Sequence, residues 1–248
     1  MKLRRAASLP MLVAALVLGA CGTTDDGGAD STTTTAVSTT TTSASTTTTE
    51  PTTTTEAVSE EGARAGAANL VATDFSDEWS SQPHEDSGQP NLIEVCAADI
   101  DLEGTTLAKA DSDDFVKGDL NTVGQQVQSS TRLFEDEAAA TEAITTFSDA
   151  AFVACADANV KEEFAGAEIT GDLEAQPGIE GYGDQAEGIA GELTIVDPAS
   201  PTPVTLAVAV LGVRTGDIAT VITGLSVGGP GDPVFDALAT AVAERQAS

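Results

Sequence analysis

The sequence predicts an α+β fold in a single disulfide-closed domain over residues 60–248: an antiparallel sheet meander with helices packed on it. Three observations predict it. Residues 186–227 hold three successive segments of period-two or continuous apolar character joined by short turns. Strands joined so closely must be antiparallel, because a parallel pair needs a crossover of a dozen residues or more. Residues 136–157 and the stretch from Asp232 onward space apolar side chains by three and four, the period of a helix face. Cys96 and Cys155 are the two cysteines that remain once Cys21 is set aside.

The elements follow in chain order. Residues 122–134 read as a strand with Val123, Val127 and Leu133 on one face. Ala140, Ile144, Phe147, Ala151 and Cys155 then fall on one helical face, which points Cys155 at the core. Ser148-Asp149 would equally end one helix and cap a second, so one long helix and two shorter ones are both compatible with the pattern. The meander consists of residues 186–196, 204–213 and 217–227, with 204–213 as the central strand because it is almost continuously apolar. A longer turn is expected from Asp197-Pro198 to Pro203, and a tight hairpin at Thr215-Gly216-Asp217. The last helix has Asp232 as N-cap and Pro233 at its first position, with Val234, Phe235, Leu238 and Val242 as its buried stripe.

The N-terminus reads as an address. Lys2, Arg4 and Arg5 precede an apolar run from Leu9 to Leu18 and the tetrad Leu18-Gly19-Ala20-Cys21. Ten apolar residues rise only about 15 Å as a helix, half of a bilayer's core, so residues 1–20 are a signal peptide and not a span. The tetrad resembles the lipobox of bacterial lipoproteins, which implies a diacylglycerol on the Cys21 thiol. Residues 22–59 contain 18 Thr and 5 Ser among 38 positions. Such a segment cannot bury enough surface to offset its ordering entropy, so residues 21–59 are expected to be a disordered tether, with a composition that also suits O-glycosylation. The expected location is the cell membrane, with the chain held through lipid on Cys21 and facing the extracytoplasmic side. There, disulfides persist, and an even pair with one connectivity predicts a Cys96–Cys155 bond. A thiol nucleophile or a metal pair would need other ligands nearby, and neither cysteine has a histidine close in sequence.

Charge and motifs exclude several functions. The chain has 10 Lys and Arg against 40 Asp and Glu, a net charge of −30, and its seven bases after residue 20 are scattered. That excludes nucleic acid as a partner, since binding needs clustered cations, and it leaves no polybasic patch for a membrane surface. Gly224-Leu225-Ser226-Val227-Gly228 matches G-x-S-x-G, but Gly229-Pro230-Gly231 stands where a nucleophile elbow requires a helix, and no histidine follows. His84, the only histidine, lies 142 residues upstream in a polar stretch that reads as a loop. Asp111, Asp113 and Asp114 lack the glycine and glutamate of an EF-hand, and Asp74, Asp77 and Glu78 read as solvated charge around Trp79. No cofactor or metal site is expected. Tyr182, between two glycines, and Trp79, the only tryptophan, are the candidate ligand contacts.

The order of these features resembles a known layout. Its marks are the lipobox and Thr-rich tether, Asp74-Phe75 and Trp79 near the domain start, and Phe152-Val153-Ala154-Cys155 at the end of an Ala-rich helix. Gly183-Asp184-Gln185-Ala186, the Val213-Arg214-Thr215-Gly216 hairpin and a terminal helix complete it. The chain is similar to secreted lipoproteins of actinobacteria and, more loosely, to the PknH-like extracellular sensor domain family over residues 65–246. That resemblance implies an antiparallel sheet with helices around a ligand-binding cleft. Those domains commonly carry a second disulfide, for which this chain has no cysteines. The expected function is that of a non-enzymatic, lipid-anchored envelope protein whose domain binds a small ligand, a glycan or an envelope protein. The alternatives are a carrier of lipid or another apolar ligand and, last, an envelope hydrolase that uses a pair of carboxylates alone.

Overall fold

The computed structural model describes residues 59–84, 92–97, 102–229 and 234–248. The expected signal segment, Cys21, the Thr-rich stretch through residue 58, the Asp232-Pro233 cap and the Val234 side chain lie outside the described residues. Ser59, expected to close the tether, instead caps the first helix, α1 (Glu60–Ala67): its Oγ accepts from the Gly62 N–H at 3.0 Å, and Glu60 and Glu61 complement the helix dipole.

Nine strands form one antiparallel sheet. They are β1 (Ser80–Gln82), β2 (Thr106–Asp111), β3 (Asp114–Asp119), β4 (Val123–Phe134), β5 (Glu168–Thr170), β6 (Leu173–Gln176), β7 (Gln185–Asp197), β8 (Ser200–Thr215) and β9 (Ile218–Val227). The order is β1-β3-β4-β9-β8-β7-β5, with β2 also on β4 and β6 also on β7. The expected meander is β7-β8-β9, and β8 lies inside the sheet between β7 and β9. The helices are α2 (Leu92–Cys96), α3 (Leu102–Thr105), α4 (Glu137–Thr145), α5 (Ala150–Glu162) and α6 (Val234–Gln246). The predicted α+β class, with an antiparallel sheet covered by helices, is the class observed.

Three local expectations change. The pattern over 136–157 resolves into two helices separated by a 3-10 turn at Thr146–Ser148, each with an aspartate cap: Asp136 accepts from Ala139 N, and Asp149 from Ala151 N and Phe152 N. This break resets the helical phase. Ala140, Ile144 and Phe147 are buried as expected, but Ala151 is exposed, Cys155 is half-buried, and α5 buries Phe152, Ala156 and Val160 instead. The turn after Asp197 is also shorter than expected, because β8 starts at Ser200, paired with Asp197, whose carboxylate accepts from Ala199 N at 2.7 Å. Finally, β1, β2, β3, β5 and β6 and the short helices α2 and α3 were not foreseen.

The sheet separates two apolar cores by strand parity. Along β8, Leu206, Val208 and Val210 join Ile144, Phe147, Phe152 and Ala156 from α4 and α5, whereas Leu211 and Val213 join Leu238, Ala239 and Val242 from α6. The first core holds the disulfide: Cys96 of α2 and Cys155 of α5 are bonded, with Cα atoms 5.6 Å apart, and Asn159 Nδ2 donates to the Cys155 carbonyl at 2.9 Å. In the second core the C-terminal end of α6 is held by polar contacts. Arg245 donates two hydrogen bonds of 2.8 Å to Asp74, and Gln246 Nε2 donates to Thr220 Oγ1 at 2.9 Å. Thr220 in turn meets Thr131 at 2.8 Å, and both Thr131 and Ser129 donate to Asn69 Oδ1, so the segment after α1 is tied to the same face. At the β8–β9 hairpin, Arg64 of α1 clasps Asp217 at 3.0 and 2.5 Å; its hydrogen bonds hold the Asp217 carboxyl below the usual aspartate range against partial burial.

Candidate functional site

Among the described residues the α6 face of the sheet is covered unevenly, and the part they leave open is a groove. Helix α6 lies against Leu211, Val213 and Ile222, and the groove begins where its first turn presents Phe235. Directly opposed residues in an antiparallel ladder point to the same side, so the register gives the floor. One row runs Val127–Gly224–Ala209–Ala190 from β4 across β9 and β8 to β7, and the next runs Gln125–Ser226–Ala207–Glu192. All eight line a groove of about 320 Å³, with Trp79 and Phe235 as its aromatic walls. The volume is at the lower end of the range for small-molecule sites, roughly 300–1,000 Å³.

Local chemistry explains the depression. Four of the eight floor residues, Gly224, Ala207, Ala209 and Ala190, carry a methyl group or less, so the sheet is low there. Gly224 permits a close approach: a Cβ on it would lie 2.1 Å from Phe235 Cε2, so the ring as placed rests on bare backbone. Trp79 is fixed from the other side. It stands 5.1 Å from Phe75 between ring centroids, and Phe75 stacks on Phe115 at 4.1 Å, with Phe115 buried in the second core. Ser226 Oγ makes a long contact, 3.5 Å, to the Gly229 carbonyl. Gln125 Oε1 is buried without a hydrogen-bond partner among the described residues.

The candidate residues named from sequence separate. Trp79 is in the groove. Tyr182 is not among its lining residues: it is half-buried against the α6 core, and its hydroxyl donates to Asp236 Oδ1 at 2.9 Å. Burial first, and then the Asp236 carboxylate, push the Tyr182 phenol above its usual pKa. Tyr182 therefore braces the first turn of α6, which carries Phe235. Cys96 and Cys155 belong to the opposite core. The G-x-S-x-G serine lies inside strand β9, paired across from Ala207 and Gln125, and not at an elbow. His84 pairs instead with Asp114, a buried residue 3.0 Å from its Nδ1.

Most acids of the two clusters meet protein partners, and the side chain of Asp74, expected as solvated charge, is largely buried. Asp111 faces Lys109 at 3.3 Å, Asp113 accepts from Ser81 Oγ, Asp74 holds Arg245, and Glu78 meets Lys117 at 2.9 Å. Among the described residues no three His, Cys, Asp or Glu side chains gather as a metal group. Sequence reasoning missed Gln125, Glu192, Gly224 and the paired alanines of β8 as parts of a site. The alternation Leu206-Ala207-Val208-Ala209-Val210 was the available signal, since it gives one face of the strand bulk and leaves the other low.

Among the described residues, fold and groove together define an α+β domain with an open, largely apolar recess on its sheet. No protein-family model matches the chain, and the comparison with curated proteins returned no relative.

Proposed function

We propose that this protein is a non-enzymatic, lipid-anchored component of the cell envelope whose extracytoplasmic domain binds a ligand in the groove between Trp79 and Phe235. The observation that carries the reading is the groove itself: a low apolar floor between two aromatic walls, with one carboxylate at its β7 end. Glu192 is the single carboxylate among the lining residues, which favours binding over a two-acid hydrolase. The recess is open and small, which favours recognition over transport of a lipid in an enclosed cavity. The lipobox tetrad at residues 18–21 and the Thr-rich stretch after it supply the argument for anchoring.

The test is native mass spectrometry of the full-length protein purified from its own envelope, beside a Trp79→Ala variant prepared in parallel. An excess mass that vanishes on denaturation and is absent from the variant is the expected result. Equal retention by both proteins would place the ligand elsewhere and overturn the assignment of the groove. For the anchor, a Cys21→Ser protein should leave the membrane fraction.

A further inference from the structure

We infer that the groove takes a cationic amphiphile, with its apolar part on the small-residue floor and an ammonium-type head at the Glu192 end. The inference rests on the reading of the groove as the binding site and adds the class of ligand.

The polarity of the groove is directional. Across the four strands from β4 to β7 its floor spans about 14 Å at the usual strand spacing. The middle of that span is Gly224, Ala207 and Ala209, with no hydrogen-bonding side chain but Ser226. At the β7 end stands Glu192, exposed, and the row that ends in Ala190 continues on β6 to Glu174, also exposed. Among the described residues no ion pair engages either acid, and no Lys or Arg lines the groove. At the opposite end, Lys117 follows Gln125 in register on β3, but its ammonium is held by Glu78 at 2.9 Å. An acidic head would have to displace Glu78 to reach that cation, whereas a basic head meets Glu192 with no competitor.

The surroundings act in the same direction. A chain of net charge −30 repels anions and concentrates cations at its surface, and a concave, low-dielectric recess strengthens that bias. An apolar body adds the gain of removing alkyl or ring surface from water against Ala, Gly, Val127 and the two aromatic walls. Neither feature alone selects the ligand, because the field attracts any cation and the floor accepts any apolar group. Their combination selects molecules that carry both.

Trp79 is the only tryptophan of the chain and lines the groove, so its fluorescence reports occupancy directly. The experiment uses the full mature chain from residue 21, with Cys21→Ser to avoid detergent. It is titrated below micellar concentrations with decyltrimethylammonium, decanol, decanoate and tetramethylammonium. The expected order is decyltrimethylammonium, then decanol, then decanoate, with the cation and the acid separated on the order of tenfold. Glu192→Gln should weaken decyltrimethylammonium by about fivefold, the scale of a partly exposed ion pair, without altering the melting temperature or decanol binding. Decanoate binding as tightly as the cation, or an unchanged affinity in Glu192→Gln, would overturn the charge preference and leave the groove as the site. A response to tetramethylammonium equal to that of decyltrimethylammonium would reduce the effect to surface attraction and overturn the inference. If none of the decyl compounds perturbs Trp79, the groove reading itself falls.

Discussion

The two faces of one sheet are finished differently. On the α4–α5 face, Gly212 lies under Ile144 and Phe147, where a Cβ would meet Ile144 Cδ1 at 2.6 Å, and the layer around it is closed by Phe134, Phe152, Ile189 and Leu193. On the α6 face, Gly224 lies under Phe235 in a similar way, but beyond that ring the floor continues uncovered through Ala207 and Ala209 to Glu192. The same device, a bare strand position that receives a ring or branched side chain, fills space on one side and borders the groove on the other. Close packing serves stability, and a face left low and open is where binding has room to evolve.

The closed face should carry most of the stability. The largest effect should come from Cys96→Ala with Cys155→Ala. Opening a loop closed over 59 residues of sequence removes about 4 kcal/mol in the chain-entropy treatment. Urea unfolding should register that loss, while Trp79 emission in the native state stays unchanged because the bond belongs to the other core. A shift in native Trp79 emission would show that the two faces are coupled through the sheet. Next come Ile144→Ala and Phe235→Ala. Ile144 is 1% exposed, so its truncation should cost about 2–5 kcal/mol, the range for a buried aliphatic side chain. Phe235 is half-buried and borders the groove, so its loss should cost about 1–2 kcal/mol, well under the value for a fully buried ring. Equal losses in thermal denaturation would mean that the α6 face is as tightly finished as the other, and the contrast would fail.

Much of the closed face was legible in the sequence, and on the open face so were the α6 stripe at Leu238 and Val242 and the candidate Trp79, but the groove was not. The meander was readable because β7, β8 and β9 are long, apolar and joined by turn residues, and the disulfide because setting Cys21 aside as the lipobox cysteine leaves two thiols and one pairing. The helical stripe was read correctly through Phe147 and then lost its phase, since Asp149 terminates one helix and caps the next in the same four residues. Strands β2 and β3 escaped because each mixes charged and small residues, Thr-Leu-Ala-Lys-Ala-Asp and Asp-Phe-Val-Lys-Gly-Asp, and is a strand by virtue of its place on the edge of β4. The groove escaped for a deeper reason. Its residues come from β4, β7, β8, β9, α6 and the turn before β1, and only the register, which no local pattern states, puts Gln125 in line with Glu192.

The smallest effect bears on how the recess keeps its wall. Phe235 sits in the first turn of α6, and Asp236 beside it accepts the Tyr182 hydroxyl at 2.9 Å. Because burial and the neighbouring carboxylate both raise the phenol's pKa, the fold favours the neutral form. A group with a raised folded pKa contributes stability that is complete below its unfolded value, about 10 for tyrosine, and is lost as pH rises through the folded one. Tyr182 is the only tyrosine, so ultraviolet titration should show a single phenolic transition displaced to more alkaline pH, returning to the ordinary range in urea. Tyr182→Phe should cost about 1 kcal/mol or less at neutral pH, one net hydrogen bond, and the difference from the parent chain should vanish above that transition. If the brace holds Phe235 in place, the same substitution loosens the groove's wall and weakens decanol binding in parallel. An ordinary tyrosine titration with unchanged decanol binding would mean that α6 is held by Arg245, Gln246 and its apolar stripe alone.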